Sequence, residues 1–256
     1  MDLGIEGRVA LVSGGASGMG RAISLRLAKE GVAVAIAALP DDPAAISARV
    51  AAIDEEGGRA IGVAADLTRE DEVIRAVGEA TTRLGPPDIV VVNVAGPASG
   101  YFDDVTNSDF ELSLPGMSMS LVYLARAAIG HMRGQAWGRF VVLNSVVAKE
   151  PPPDIGHVLA APARAAVNGL GKALANELAS DGITVNVVAA GFIGTDRFHS
   201  RVGADALEQV NRGIPARRVG RAEEIASAVA YLCSNDAGYI TGETIAVDGG
   251  YHRSAF

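Results

Sequence analysis

Three closely spaced glycines near the start of the chain are the residues best suited to bind a phosphorylated ligand. Gly14, Gly18 and Gly20 follow the strand-like run Val9–Ser13 and precede an amphipathic, helix-like segment. Glycine lets the backbone turn tightly and approach a pyrophosphate, and the free N–H groups and positive dipole end of the next helix favour negative charge. The spacing alone is weak evidence, but the strand before it and the helix after it predict a dinucleotide-binding turn.

The elements around this turn alternate between short β-type runs and longer, Ala-rich segments with apolar residues at helical spacing. This alternation predicts a doubly wound (Rossmann) α/β fold, a seven-stranded parallel sheet with helices on both faces. The predicted strands are 9–13, 32–37, 60–64, 89–93, 139–145, 184–189 and 244–247. The predicted helices are 20–30, 44–56, 70–84, 108–133, 162–180, 204–213 and 222–232. Three consecutive prolines, 151–153, indicate a loop over one edge of the sheet.

Length and composition limit the class of protein. The chain has 256 residues, 49% of them hydrophobic, and a formal net charge of −8, which predicts one domain over 1–256 and argues against nucleic acid as a partner. No uninterrupted apolar run approaches the roughly 20 residues of a membrane span, and acidic residues precede the first strand, so we expect a cytoplasmic chain without membrane or targeting segments. Cys233 and four scattered histidines predict neither a disulfide nor a metal site.

The run Ser13-Gly-Gly-Ala-Ser-Gly-Met-Gly20 resembles the Thr-Gly-x-x-x-Gly-x-Gly motif of the short-chain dehydrogenases/reductases. Asp66-Leu-Thr and Asn93-Val-Ala-Gly96 are similar to the family's motifs after the third and fourth strands, and later segments follow in order over almost the whole chain. The resemblance implies a nicotinamide cofactor, with Ile193 and Thr195 holding its carboxamide. The cofactor-binding residues that it implies are Ser13, Gly14, Ser17, Gly18, Met19, Gly20, Asp66, Leu67, Asn93, Ala95, Gly96, Arg164, Ile193 and Thr195.

The end of the second strand should distinguish NAD from NADP. In a dinucleotide fold an acidic residue there binds the ribose hydroxyls of NAD, whereas a nearby basic residue accommodates the extra phosphate of NADP. Here the segment reads Val34-Ala-Ile-Ala-Ala-Leu-Pro40 and has neither. We expect Asp41 and Asp42, which lie beyond the proline, to be solvated turn residues. The sequence therefore leaves the choice between NAD and NADP open.

The same resemblance implies a hydride-transfer site in which most of the family's catalytic side chains are replaced. Reduction of a carbonyl needs one donor that polarises the oxygen and one that supplies a proton. In the family a Ser polarises, a Tyr donates, a Lys four residues later lowers the pKa of that Tyr, and an Asn completes a water relay. Alignment places Ser145 on the Ser, Ala160 on the Tyr, Arg164 on the Lys and Met117 on the Asn. The chain thus resembles an atypical member that lacks the Tyr-x-x-x-Lys pair.

Three side chains are candidates for the missing proton donor. Lys149 follows Ser145 by four residues, His157 has an ordinary pKa near 6.5 that suits acid–base work, and Tyr101 lies in the loop after the fourth strand. Arg164 cannot exchange a proton, but its forked donors can hold ribose hydroxyls or an anionic substrate. The predicted catalytic residues are Ser145, Lys149, His157 and Arg164. The run Ser145-Val-Val-Ala-Lys149, followed by the prolines and Arg164, is similar to a bacterial subset of the family.

The primary hypothesis is a nicotinamide-dependent oxidoreductase that transfers hydride to or from a small carbonyl or alcohol substrate through a non-standard proton donor. The alternatives are a non-redox lyase-type enzyme and a catalytically silent cofactor-binding protein on the same fold. Segment 192–215 would form a substrate lid, and its basic residues indicate either an anionic substrate or a solvated basic face. The resemblance also implies a homo-oligomer, a tetramer or dimer formed through the fourth and fifth helices and the last strand.

Overall fold

Seven parallel strands form one sheet in the structure, a computed structural model that describes residues 2–153 and 155–254. The strands are β1 (Val9–Ser13), β2 (Ala33–Ala38), β3 (Ala60–Ala64), β4 (Ile89–Val92), β5 (Gly138–Ser145), β6 (Ile183–Ala190) and β7 (Thr244–Val247). Their order across the sheet is β3-β2-β1-β4-β5-β6-β7. The strands are rich in Val, Ile and Ala because a parallel sheet is buried on both faces. The predicted doubly wound fold is confirmed.

Helices cover both faces of the sheet. Those described are α1 (Gly18–Lys29), α2 (Pro43–Glu55), α3 (Glu70–Arg83), α4 (Asn107–Gly134), α5 (Ala160–Leu178), α6 (Asp196–His199), α7 (Ala204–Gly213) and α8 (Ala222–Cys233). Buried side chains of α1, α2 and α8 pack in one apolar cluster with one face of the strands, and those of α3, α4 and α5 pack in a second cluster with the other face. Each crossover therefore buries its apolar stripe against the sheet.

Several element boundaries differ from the prediction. β2 is shifted by one residue, and β4 ends one residue earlier than expected. α5 begins at Ala160, two residues before the predicted start at Pro162, because a proline in the first helical turn removes only an N–H that has no intrahelical partner. The four-residue helix α6 was not predicted; the Thr195 side chain caps it. The earlier start of α5 places Ala160 and Arg164 on one helix, one turn apart.

Helix α4 is long and apolar enough, by length and composition alone, to cross a membrane, which the sequence analysis did not anticipate. Leu121, Leu124 and Met132 on this helix are fully buried in the cluster that contains Phe140 of β5. The core helix of a folded domain passes the same test of length and composition. In the fold, α4 packs one side against the sheet.

The carboxyl ends of the central strands meet at one edge of the sheet. Val12 of β1 pairs with Val91 of β4, and Ser145 of β5 pairs with Ala190 of β6. The strand order reverses between β1 and β4, which makes a crevice where ligands bind in open α/β sheets. The loops after β1, β4, β5 and β6 carry most of the predicted site residues, so the topology brings these residues to one cleft.

Candidate active site

The turn between β1 and α1 is shaped by close contacts that only glycine allows. Gly14 and Gly18 have φ angles of +59° and +51°, where other residues are strained. A Cβ at Gly14 would lie 2.8 Å from the side-chain nitrogen of Asn93, and a Cβ at Gly20 would overlap the Gly14 carbonyl group. The buried Ser13 hydroxyl donates to the Asn93 carbonyl oxygen at 3.2 Å. The turn is therefore held tightly against the end of β4.

The start of α1 offers backbone N–H groups that no side chain caps. Ser17 is the N-cap residue, yet its hydroxyl makes no capping hydrogen bond, and the first helical turn has no acidic residue. Met19, also in the predicted set, lies in this turn and is partly buried. The free N–H groups and the helix dipole favour an anion at this position. Together with the close approach at Gly14 and Gly20, this start of α1 fits the pyrophosphate of NAD or NADP.

The segment after β6 forms the opposite wall of the cleft. Ile193 is buried and forms an isolated bridge with Gly220. The Thr195 hydroxyl oxygen accepts a hydrogen bond from the Phe198 N–H at 3.3 Å. A Cβ at Gly18 would lie 3.5 Å from Cγ2 of Thr195. The two segments expected to hold the phosphates and the nicotinamide are therefore adjacent.

At the outer strands, two carboxylates are engaged in turns. Oδ1 of Asp66 accepts hydrogen bonds from the N–H and the hydroxyl of Thr68, at 3.0 and 2.7 Å, and the adjacent Leu67 is buried. Asp42 accepts from the Ala45 N–H at 2.9 Å and so caps α2. Asp41 and Asp42 are both exposed, as expected for solvated turn residues. Because Asp42 is used as a helix cap, it is poorly suited to bind the ribose hydroxyls of NAD.

Ser145 ends β5 with a hydroxyl that can still donate a hydrogen bond. Its Oγ accepts from the Val147 N–H at 3.3 Å. Across the described ranges no group is recorded as accepting the Ser145 hydroxyl hydrogen. A serine hydroxyl has one hydrogen to donate and two lone pairs. Ser145 is therefore able to polarise a substrate oxygen.

Asn144 joins Ser145 to Arg164 through a fully used side-chain amide. Its Oδ1 accepts from the Ser145 N–H at 2.9 Å and from Nη1 of Arg164 at 3.2 Å. Its Nδ2 donates to the Arg164 carbonyl oxygen at 2.9 Å and to Oδ1 of Asn168 at 2.6 Å. Asn144 is only 3% exposed, so an unpaired amide at this position would be costly. These bonds fix the end of β5 to α5.

The guanidinium of Arg164 reaches from α5 to the loop after β4. A Cβ at Gly96 would lie 2.5 Å from Nη2 and 3.0 Å from Cζ of Arg164. The neighbouring Ala95 is exposed. Burial lowers the pKa of Arg164 below its ordinary value, but an arginine remains protonated at neutral pH. A positive charge therefore lies beside the predicted cofactor-binding loop.

His157 lies near Arg164 with one ring nitrogen unpaired. Its Nδ1 is buried and has no hydrogen-bond partner. The residue forms an isolated bridge with Gly100, and the Gly100 N–H donates to the Gly156 carbonyl oxygen at 2.7 Å, which ties together the loops before α4 and α5. Burial, and secondarily the charge of Arg164, lower the pKa of His157. The imidazole is therefore neutral at pH 7.

The other two candidate proton donors lie elsewhere. Lys149 is exposed and lines a cavity of about 320 Å³ together with Ser145 and His252; neither His157 nor Arg164 lines this cavity. Tyr101 is 53% exposed and follows the Gly100 bridge. The structure thus places Arg164 near enough to His157 for its charge to act on the ring, and it places Lys149 in the cavity beside Ser145.

Ala160 and Met117, which the sequence analysis aligns with the family's Tyr and Asn, have side chains that exchange no protons. Ala160 begins α5 and is 5% exposed. Met117 lies in α4, is also 5% exposed, and packs in the apolar cluster under the sheet. Neither a methyl group nor a thioether can donate a proton.

In the segment 192–215, aromatic contacts lie nearest the cleft. The rings of Phe192 and Tyr251 lie 5.0 Å apart, edge to face. Arg197 and Arg201 are exposed, and Arg212 forms an ion pair with Glu208 on the same helix. These contacts agree with a solvated basic face.

Sequence analysis missed Asn144 and a pair of arginines on α1 and α2. Asn144 is a buried polar residue directly after the apolar run Phe140-Val-Val-Leu143 of β5, a position where the sequence itself gives a signal. Arg49 has a buried Nε atom without a hydrogen-bond partner. Burial and the charge of Arg21 lower the pKa of Arg49, so the two guanidinium groups lie near each other. No local sequence pattern predicts that Arg21 and Arg49 lie close together.

Comparisons with known proteins agree with this geometry. Residues 14–252 match the family model described as enoyl-(acyl carrier protein) reductase. The chain is 34% identical over 252 residues to 3-oxoacyl-(acyl-carrier-protein) reductase FabG of Haemophilus influenzae, covering 98% of this chain and 100% of that protein. A short-chain dehydrogenase/reductase of Serratia marcescens superposes with a TM-score of 0.89 at 33% identity, over 98% of this chain and 99% of its own. A blue fluorescent protein from a metagenomic library, whose structure was solved in complex with NADPH, superposes with a TM-score of 0.88. Its sequence identity is 31%, over 97% of this chain and 99% of its own.

Replacement of Gly20 by alanine is expected to weaken nucleotide binding. The added Cβ overlaps the Gly14 carbonyl group, so the turn must open, and we expect the affinity for NADPH to fall by at least about tenfold. Fluorescence titration of NADPH against the variant measures this. Gly130→Ala on α4 is the matched control, because nothing lies within 4 Å of its added Cβ. An unchanged affinity in Gly20→Ala would contradict the assignment of this turn to the pyrophosphate.

Proposed function

The chain belongs to the short-chain dehydrogenase/reductase family of NAD(P)-dependent oxidoreductases, and on this basis we propose that it transfers hydride between the nicotinamide and a small carbonyl or alcohol substrate through a proton-donor arrangement different from the family's phenol. The observation that supports the proposal best is the group formed by Ser145, Asn144 and Arg164 beside the glycine-rich turn. Bound NAD(P) supplies or accepts the hydride.

Ser145 has the role of polarising the reacting oxygen. Its Oγ accepts from a backbone N–H, which leaves the hydroxyl hydrogen available to donate to a substrate oxygen. A hydrogen bond to the carbonyl oxygen becomes stronger as negative charge develops there, so it stabilises the transition state more than the ground state. Asn144 holds the backbone of Ser145 and thereby sets the direction of this hydroxyl.

His157 is the proton-exchanging residue in this proposal. The residue is partly exposed, so its other ring nitrogen, Nε2, is the one proposed to form a hydrogen bond with a substrate hydroxyl, and its lowered pKa keeps the ring neutral at pH 7. A neutral imidazole accepts a proton from an alcohol, so the arrangement favours oxidation at and above neutral pH. In the direction of reduction, the imidazolium form donates the proton, and this form is populated at lower pH.

Arg164 has a role in binding and orientation. Two hydrogen bonds with Asn144, one at the carbonyl oxygen of Arg164 and one at its Nη1, hold the backbone and guanidinium of Arg164 next to Gly96. Its charge lowers the pKa of His157, the same residue that exchanges the proton. Because arginine does not titrate near neutral pH, this effect is constant over the working range.

We further propose NADP rather than NAD as the cofactor. Arg21 has one long ion pair, 3.9 Å, with the exposed Asp196, and Arg49 has no ion pair recorded within the described ranges. Two neighbouring guanidinium groups with so little negative charge nearby favour the additional phosphate of NADP. Of the two acidic residues that follow β2, Asp41 and Asp42, Asp42 is engaged as a helix cap. The NADPH bound in the structure of the related blue fluorescent protein supports the choice of NADP.

A non-redox lyase-type enzyme or a catalytically silent cofactor-binding protein is the second candidate. The observation in its favour is that Ala160 and Met117, at two positions that carry the family's proton chemistry, hold no titratable group. A screen of ketones with NADPH separates the candidates, because tight nucleotide binding without turnover would favour this second one. Cytoplasmic location, one domain over 1–256 and a tetrameric or dimeric state stay predictions.

Replacement of Ser145 by alanine tests the proposal most directly. Loss of one oxyanion-stabilising donor is expected to lower turnover by about 10²–10³-fold while nucleotide affinity stays within about twofold. Loss of NADPH absorbance with short ketones reports turnover, and fluorescence titration reports affinity. A variant that instead loses nucleotide binding would show that Ser145 is part of the cofactor site and that the alignment of β5 is wrong.

The pH dependence of alcohol oxidation tests His157. Oxidation needs the neutral ring, and the pKa of His157 is lowered, so kcat/KM in the wild type should stay high at neutral pH and fall only as pH drops below that shifted pKa. His157→Gln should remove this acid limb and lower kcat/KM by at least about 10²-fold. If Lys149→Met removes the limb and His157→Gln retains it, Lys149 is the proton-exchanging residue and this part of the proposal is wrong.

The cofactor proposal predicts a difference between the two nucleotides. NADPH should bind at least about tenfold more tightly than NADH, and Arg49→Gln should lower the affinity for NADPH by about 10–100-fold with little change for NADH. Fluorescence titrations of both nucleotides measure this. Arg83→Gln is the control, because Arg83 forms a surface ion pair with Glu79 on α3. Equal affinity for NADH and NADPH in the wild type would contradict the choice of NADP.

A further inference from the structure

The guanidinium of Arg164 is a partly buried positive charge without a carboxylate partner in the described ranges. Its one recorded acceptor is the neutral amide oxygen of Asn144. Burial alone accounts for the lowered pKa of Arg164, so no nearby negative charge stabilises its protonated form. Removing a charge from water without an opposite charge is unfavourable, and proteins pair such groups with a counterion or a ligand.

The remaining donors of Arg164 lie beside the loop after β4. Nη2 lies against Gly96, where even one methyl group would lie 2.5 Å away. Ala160, one turn before Arg164 on α5, contributes only a methyl group to this side of the helix. A guanidinium has five N–H donors in a planar fork that matches a carboxylate, and only one of them is used by Asn144.

The position of Ser145 bears on the size of the ligand. The Ser145 N–H and Nη1 of Arg164 both donate to the same oxygen, Oδ1 of Asn144, over 2.9 and 3.2 Å. The distance between the Ser145 backbone nitrogen and Nη1 of Arg164 is therefore no greater than the sum of these two hydrogen-bond lengths. Because the Ser145 hydroxyl belongs to the same residue as this backbone nitrogen, a short molecule is sufficient to place a carboxylate on Arg164 and a carbonyl oxygen on the hydroxyl.

We propose that Arg164 binds the carboxylate of the substrate, and that the substrate is a short oxo acid or the corresponding hydroxy acid. This inference rests on the proposed hydride transfer. In the reduction the carbonyl carbon receives the hydride with its electron pair, the carbon–oxygen π bond breaks, the oxygen takes one proton, and the reduced nicotinamide becomes oxidised. The carboxylate is unchanged and serves only for binding.

A bound carboxylate also changes the environment of His157. The charge of Arg164 lowers the pKa of His157, and it is the one charged group in the described ranges found to do so. A carboxylate on Arg164 offsets this charge and raises the pKa of His157 towards its ordinary value. Substrate binding therefore makes His157 easier to protonate at the moment when reduction requires a proton.

The test compares acetoacetate with its neutral methyl ester, because the two share the same ketone. With NADPH we expect kcat/KM for acetoacetate to exceed that for methyl acetoacetate by at least about 30-fold. Arg164→Gln should lower the value for acetoacetate at least about 30-fold more than that for the ester, and Arg164→Lys should be intermediate. Arg126→Gln is the control, since Arg126 is exposed on α4 with one long ion pair.

Binding without reaction separates this inference from the proposed function. Calorimetry of acetoacetate against the wild-type protein without nucleotide should show binding that Arg164→Gln removes. The His157 ring resonances, identified by their loss in His157→Gln, should titrate at higher pH when acetoacetate is present. This binding without any NADPH oxidation would leave the carboxylate site valid and overturn hydride transfer.

Three outcomes would overturn the inference. The first is equal reduction of the acid and the ester by the wild type, a result that does not depend on whether any variant folds. The second is an equal loss for both substrates in Arg164→Gln. The third is a loss of NADPH affinity in Arg164→Gln as large as the loss of kcat/KM for acetoacetate, which would assign Arg164 to the ribose hydroxyls instead.

Discussion

The side-chain amide of Asn144 is the interaction on which the arrangement of the site depends. All four of its hydrogen bonds are made inside the protein, two to the strand and helix backbone and two to side chains. Because Asn144 is buried, losing one bond would leave a polar group without water to replace the partner. The amide therefore fixes the end of β5, where Ser145 lies, relative to α5, which carries Arg164.

The cleft also contains positively charged groups that lack a carboxylate partner in the described ranges. The chain as a whole carries a net charge of −8, yet Arg164 and Arg49 lie in or near the cleft without recorded carboxylate partners in the described ranges, and the start of α1 adds uncapped N–H groups. Each of these features favours an anion. A negatively charged protein that concentrates positive charge at one edge of its sheet directs anionic ligands to that edge.

The predicted replacements bear on how proton transfer can be organised. Ala160 and Met117, which lie on two helices that cover the same face of the sheet, are buried and carry no titratable group. His157 lies on the loop before α5, a position that is more exposed to solvent and more easily altered by ligands than a helix interior. Because the charge of Arg164 lowers the pKa of His157, ligand binding at Arg164 is coupled to proton exchange at His157 in the proposed mechanism.

The sequence by itself determined the fold and the shape of the turn that is predicted to bind the phosphates, because both depend on local patterns. Alternating strand and helix periodicity specifies a parallel sheet, Gly14 and Gly18 have positive φ angles, and Gly14 and Gly20 lie where a side chain would collide with neighbouring atoms. The sequence also placed Ser145 at a strand end. Only the tertiary structure decided that Asn144 joins Ser145 to Arg164, that Arg21 lies near Arg49, and that Lys149, but not His157, lines the cavity beside Ser145. These relations depend on where α5 begins and how side chains from distant segments pack, and no periodicity in the sequence encodes them.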